Sequence, residues 1–179
     1  MKDVMLDLET LGTVPGCTIL SFGAAPFDEF GVSDAGFYAV VSRASCASVG
    51  LHEDPDTLKW WEDKKPEARK VLIEAEASRN TLTRVLADFE LWLKDTCPDA
   101  RVWGNGADFD NPIVSAACRA AERPLPWNPY NGRCYRTVKN QFHDVKMVRM
   151  GTHHNALDDA RSQAHHLVAI CQKRGWRLL

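Results

Sequence analysis

Asp7 and Glu9 stand two residues apart, directly after the apolar triplet Val4-Met5-Leu6. On a β-strand, positions i and i+2 project from the same face. Two carboxylates on one face at a strand end repel each other unless a cation lies between them, and magnesium or manganese prefers such hard oxygen ligands. Two solvated acids just past a strand would read the same way. A further acid, Asp110, closes Asn105-Gly106-Ala107-Asp108-Phe109-Asp110, which lies between a short strand signal and a helix signal. Such junctions are where α/β folds place ligand groups. Helix capping by Asp108, with Asp110 as a first-turn charge complementing the helix dipole, accounts for this stretch equally well. The third group is His154-Asn155-Ala156-Leu157-Asp158-Asp159-Ala160. A helix beginning near Asn155 turns Asp159 inward beside Ala156 and Ala160, and points Asp158 roughly 100° away toward solvent. The plain alternatives are a loop histidine and a helix-surface acid.

The elements that must position these groups follow from local pattern. Val4-Met5-Leu6 reads as a short buried strand. The apolar run from 18 to 27 reads as a second, ending in a hairpin turn at Asp28-Glu29-Phe30-Gly31, and 36 to 41 as the returning strand. Asp54-Pro55 is a helix start, with a capping acid and a first-turn proline. Leu82, Val85, Leu86, Phe89 and Leu93 follow helical spacing and predict a helix over 80–94, capped by Asn80 or Thr81. Arg101-Val102-Trp103 is a brief strand, 109–121 a helix, 124–133 an irregular loop, and 155–173 a long C-terminal helix ending at Gly175. Strands first, then helices interleaved with a strand, predict an α/β fold with a mixed central sheet flanked by helices.

The chain has 179 residues, a length that suits one domain over 1–179 with a full apolar core. No apolar run approaches the roughly 18–20 residues that cross a bilayer. Asp3, Asp7 and Glu9 interrupt the place where a signal peptide would need an apolar stretch, so nothing marks the chain for export. The six cysteines contain no C-x-x-C pair and read as reduced thiols of a cytoplasmic protein, several of them in the core. A formal net charge of −2 lacks the global basic signature of a nucleic-acid binder. Bound divalent cations would nevertheless reverse the local sign around clustered carboxylates.

Taken in order, the three groups resemble the three exonuclease motifs of the DEDDh (DnaQ-like) superfamily: D-x-E near the N-terminus, an aspartate after phenylalanine in mid-chain, and H-x-A-x-x-D-A near the C-terminus. The likeness runs from residue 5 to about residue 165. Thr57-Leu58-Lys59-Trp60-Trp61 and Tyr135-Arg136-Thr137 look like the small bacterial and phage 3′–5′ exoribonuclease-like subgroup. The resemblance implies a ribonuclease-H-like fold and metal-dependent 3′–5′ exonuclease activity that releases nucleoside 5′-monophosphates. It implies two Mg2+ or Mn2+ ions, about 3.5–4 Å apart, held by Asp7, Glu9, Asp110 and Asp159, with Asp7 bridging both. His154 is then the general base, and His153 a loop residue. The implied substrate is nucleic acid with a free 3′ end, RNA or single-stranded or overhanging DNA, with the subgroup tilting toward RNA.

The same resemblance implies that the residues after the first motif, Thr10, Leu11 and Gly12, meet the terminal nucleotide: Leu11 as a wedge against the terminal base, Gly12 for close backbone approach. Trp60 and Trp61 cannot share one helix face, so one belongs to the core and the other could stack a base; Trp61 is taken as the contact residue. Lys59, Lys64, Lys65, Arg133 and Arg136 are available for phosphates, or are solvated surface charges. A homodimer is the common form of related small exonucleases and leaves oligomeric state open here. Two rivals stand: a ribonuclease-H-type endonuclease, against which the last motif speaks, and a nuclease-fold binding or scaffold protein of phage origin, whose expected mark would be lost catalytic residues.

Overall fold

The computed structural model describes residues 1–178. Six strands form one sheet: β1 (Asp3–Thr10), β2 (Ile19–Asp28), β3 (Gly31–Val32), β4 (Phe37–Val40), β5 (Arg101–Gly104) and β6 (Gly132–Cys134). The helices are α1 (Arg43–Ser48), α2 (Pro55–Glu62), α3 (Pro66–Ala77), α4 (Leu82–Thr96), α5 (Asp110–Ala120), α6 (Tyr135–Lys139) and α7 (Ala156–Arg174). The sheet order is β3-β2-β1-β5-β6, with β4 also on β2. β1 runs antiparallel to β2 and parallel to β5, and β5 runs parallel to β6. This is the mixed sheet flanked by helices that the pattern predicts.

Alternation along β1 sorts its side chains. Val4, Leu6 and Leu8 enter the larger core with Phe22, Phe89 and Ile113. Met5, on the other face, packs with Phe27, Trp103 and Leu167. The five periodic residues of α4 are all buried, each contributing roughly 1.5–3 kcal/mol, and Thr81 rather than Asn80 caps the helix by accepting from the Arg84 N–H. Asp54 caps α2. Asn155 caps α7, and Gly175 ends it in the left-handed conformation. The hairpin turn is held by Asp28, whose carboxylate accepts from the Phe30 and Gly31 N–H groups.

Several elements depart from the pattern. The first strand does not stop at Leu6 but continues to Thr10, so Asp7 and Glu9 lie within it, paired to Gly23 and Ser21 of β2. The expected loop over 124–133 holds a 3-10 turn at Pro129–Asn131 and the start of β6. α1, α3, β3 and α6 have too little apolar periodicity to announce themselves; α3 buries only Ala68, Val71 and Ala75. All six cysteines are unpaired, and five of them are buried. No helix among the described residues is long and apolar enough to cross a membrane.

Candidate active site

Asp7 and Glu9 project from the β1 face that carries α7. Opposite Asp7 is Gly23, and a Cβ there would lie 2.0 Å from the backbone of Ala156. The missing side chain lets the first turn of α7 rest directly on β2, which carries Asp159 to the end of β1. Carboxylate oxygens of Asp7, Glu9 and Asp159 lie within 4.8 Å of one another. Asp110 arrives from the start of α5 and is buried, one oxygen accepting from the Leu8 N–H at 3.2 Å and the other from the Asn105 N–H at 2.6 Å. The capping alternative fails on this point. Phe109 occupies the cap position with no side-chain hydrogen bond, and Asp110 is an anchored interior acid.

The electrostatics fit a site made for cations. Burial, then the neighbouring Asp110, Glu9 and Asp159, hold the Asp7 carboxyl well above its usual range. Burial, then Asp159 and Asp110, push Glu9 up to about 8. Asp110 is pushed up to about 7 by burial, against the opposing pull of its backbone donors and Arg136. Acids that resist ionisation because they crowd one another lose that penalty when a divalent cation sits among them. Gln163 adds an independent sign: its amide N–H donates to Asp7 at 2.6 Å, while its Oε1 is buried without a partner. That orphan acceptor beside the carboxylates suits the water of a hydrated cation. The donor set, oxygen only, suits magnesium or manganese.

His154 sits at the rim with a positive φ of 65°, a conformation that costs a non-glycine residue of order 1–3 kcal/mol. Its backbone N–H donates to Asp159 at 2.8 Å, and its ring Nδ1 stands 4.0 Å from Glu9. Its ring meets Trp60 and Trp61 edge-on, with His153 stacked on it at 3.8 Å. His153, expected as a loop residue, therefore also has its ring against the cluster. Burial and the neighbouring His153 lower the His154 pKa from its ordinary value. Asp158 is not turned to solvent as expected. It is half-buried and accepts from the Thr152 N–H, tying the loop before α7 to the helix.

The expected substrate contacts divide. Leu11 is 0% exposed and packs with Leu20, Trp61 and Val71, so it is core and presents nothing to a base. Gly12 is required by its own fold, since a Cβ would meet Cys17 at 2.6 Å. Thr10 is buried and donates its hydroxyl to the Gly12 carbonyl. Trp61, taken as the base-contacting tryptophan, is 1% exposed and donates its indole N–H to the Thr10 carbonyl at 2.9 Å. Trp60 is 42% exposed, with the Lys64 ammonium 3.8 Å from its ring. Leu8, Glu9, Thr10, Trp60 and Phe109 line a cavity of about 360 Å³ beside the carboxylates. Of the expected phosphate contacts, Arg133 turns to the carbonyls of Tyr130 and Gly132, Arg136 reaches toward Gly106 and Asp110, and Lys59 and Lys65 are exposed.

Two residues that hydrogen-bond to the carboxylates, Gln163 and Arg149, are not singled out by the sequence. Gln163 lies four residues beyond Asp159, one helical turn on, and that spacing was a usable signal. Arg149, which donates to Asp159 at 2.6 Å, comes from an irregular stretch with no periodicity to place it.

A sequence model of the family described as Rv2179c-like, 3′–5′ exoribonuclease Rv2179c-like domain, matches residues 2–171. The chain is 25% identical over 133 residues to an exodeoxyribonuclease of Enterobacteria phage T4, the match covering 69% of this chain and 58% of that protein. The chain thus spans somewhat over half of that relative's length. Among solved structures, the nuclease domain of 3′hExo, a DEDDh family member bound to rAMP, superposes with a TM-score of 0.65 at 14% identity, over 96% of this chain and 92% of that one. A 3′-exonuclease in 3′-end-specific recognition of a histone mRNA stem-loop gives a TM-score of 0.62 at 13% identity, over 96% and 83%. At such identities the likeness is one of fold, the ribonuclease-H-like sheet described above.

Proposed function

Because this chain belongs to the Rv2179c-like 3′–5′ exoribonuclease domain family, we propose that it is a DEDDh 3′–5′ exonuclease that removes nucleoside 5′-monophosphates from the 3′ end of a nucleic-acid strand. The observation that carries the reading is the carboxylate cluster: Asp7, Glu9 and Asp159 within 4.8 Å, Asp110 anchored beside them, and a histidine at their rim.

Asp7, Glu9, Asp110 and Asp159 would hold two divalent cations, which would neutralise the phosphate and acidify the attacking water. His154 takes the proton of that water. Its lowered pKa leaves it neutral near pH 7, as a base must be. The water oxygen bonds to phosphorus as the bond from phosphorus to the upstream 3′ oxygen breaks, and that oxygen leaves with a proton from solvent. Gln163 fixes the Asp7 carboxylate through its amide N–H. The terminal nucleoside occupies the cavity between Phe109 and Trp60, and Trp60 takes over the base contact for which Trp61 is too deep. RNA is the favoured substrate, by the family to which the chain belongs.

Incubating the protein and manganese with matched RNA and DNA strands labelled at the 5′ end tests this. A ladder shortening from the 3′ end, abolished by chelator, is expected. Internal cuts would make it an endonuclease, and tight binding without cleavage would make it a binding protein.

A further inference from the structure

The cavity beside Trp60 does not end at the carboxylates. A second cavity, of about 250 Å³, shares Leu8, Glu9 and Phe109 with it and is lined by the carboxylates Asp7 and Asp159 together with Lys139, Met147 and Arg149. On the exonuclease reading, a strand with its last nucleoside against Trp60 and its scissile phosphate over Asp7 and Glu9 would have its upstream part beside the Lys139 and Arg149 that line the same cavity.

Lys139 is placed there by a chain of contacts that starts in the core. β6 pairs with β5, with Cys134 opposite Gly104, so α6 begins beside the loop that carries Asn105 and leads to Asp110. Tyr135 is buried and pins α6 to α7 through a 2.6 Å bond between its hydroxyl and His166 Nδ1. His166 Nε2 must donate to the Val145 carbonyl, so Nδ1 is the acceptor of the tyrosine hydroxyl. One turn along α6, the Lys139 ammonium donates to Asn105 Oδ1 at 3.3 Å.

No carboxylate among the described residues lies within 4.0 Å of Lys139 or of Arg136, while Arg149 has only Asp159. Burial, then the charges of Arg136 and Arg149, make the Lys139 ammonium easier to deprotonate than usual. Arg149 has its carboxylate, but Lys139 has only the neutral Asn105 amide and the face of the Tyr135 ring for partners, which leaves its charge available to a phosphate in the cleft.

We propose that Lys139, supported by Arg149, binds the phosphate one nucleotide upstream of the scissile bond. The proposal rests on the exonuclease reading. It makes Lys139 a residue that recognises the strand rather than the terminal nucleotide.

Two substrates separate the roles. An oligonucleotide carries the upstream phosphate; thymidine 5′-(p-nitrophenyl) monophosphate has a scissile phosphate and none upstream. Lys139→Gln should raise KM for the oligonucleotide about tenfold more than for the ester, the effect of one lost charged hydrogen bond. It should also reduce the slope of log KM against log salt by about 0.7, one phosphate contact on a single strand. Lys139→Arg should restore both. Equal losses on the two substrates would overturn the assignment and leave Lys139 as a prop for the Asn105 loop; an unaltered salt slope would overturn it as well. A parent protein inactive on both substrates with manganese would instead remove the exonuclease reading beneath it.

Discussion

Stripping divalent metal from this protein should make its fold lose stability as pH rises from about 7 to about 8.5. Glu9 is pushed up to about 8, and Asp7 lies well above its usual range, in both cases first by burial and then by neighbouring carboxylates. A carboxyl whose folded-state pKa exceeds its unfolded value binds its proton more tightly when folded. The stability it contributes is fully present below the unfolded value, near 4, and is lost as pH passes through the folded one. Each carboxyl still holding its proton adds a slope of up to about 1.4 kcal/mol per pH unit. Glu9 alone predicts a loss of about 1 kcal/mol across this window, and Asp7 and Asp110, raised by the same burial, add to it in the same direction, a visible share of the roughly 5–15 kcal/mol of a domain. The window is chosen because opposing groups are quiet in it. His154, with its pKa lowered, costs stability only as pH falls below about 6.5. The buried thiols of Cys17, Cys46, Cys118 and Cys171, pushed up to about 11, add a loss of the same sign, which sets in only near the top of the window as unfolded thiols begin to ionise. Urea denaturation in excess chelator reads the effect. Magnesium or manganese should flatten the slope by pairing the same carboxylates, and Glu9→Gln should remove one group's share of it. A metal-free stability that holds constant or rises over this window, or a Glu9→Gln slope equal to the parent's, would refute the reasoning.

The remaining expectations concern single residues. His154→Ala should bind metal and oligonucleotide nearly as well as the parent but cleave about 10²–10⁴-fold more slowly, whereas His153→Ala should lose far less; turnover under saturating substrate checks both, and the reverse order would move the base to His153. Trp60→Ala should weaken oligonucleotide binding by about 1–3 kcal/mol without lowering the melting temperature. Trp61→Phe should do the opposite, since it strands the buried Thr10 carbonyl at a cost of about 1–3 kcal/mol; paired thermal melts and binding titrations would expose a wrong assignment. Gly23→Ala should destabilise the fold by about 1–3 kcal/mol or more, because its Cβ meets α7 backbone that cannot step aside, and its folded fraction should show a raised metal requirement; a variant with parental stability and parental metal titration would mean α7 does not depend on that contact.

What the sequence by itself determined was whatever depends on spacing along one element. Asp7 and Glu9 share a strand face because alternation has period two. Asp159 turns inward because Ala156 and Ala160 flank it on a helical stripe. The five apolar residues of α4 marked their helix because they recur at helical intervals, while α3, whose buried stripe is two alanines and one valine, left no comparable mark. The family motifs rest on the same local spacings. The tertiary structure decided what depends on which face meets which neighbour. Trp60 and Trp61 are adjacent and chemically alike, and only the docking of α2 against Leu11 and Thr10 makes one core and the other rim. Leu11 reads as an exposed wedge until α3 covers it. Asp108 reads as a cap and Asp110 as a first-turn charge until the end of β1 offers the Leu8 N–H to Asp110. Lys139 and Arg149 reach the carboxylates from a three-residue strand, a five-residue helix and an irregular segment, each too short to carry periodicity. Such residues are positioned by long-range contacts, and a contact between residues far apart in the chain leaves no spacing in the sequence to be read.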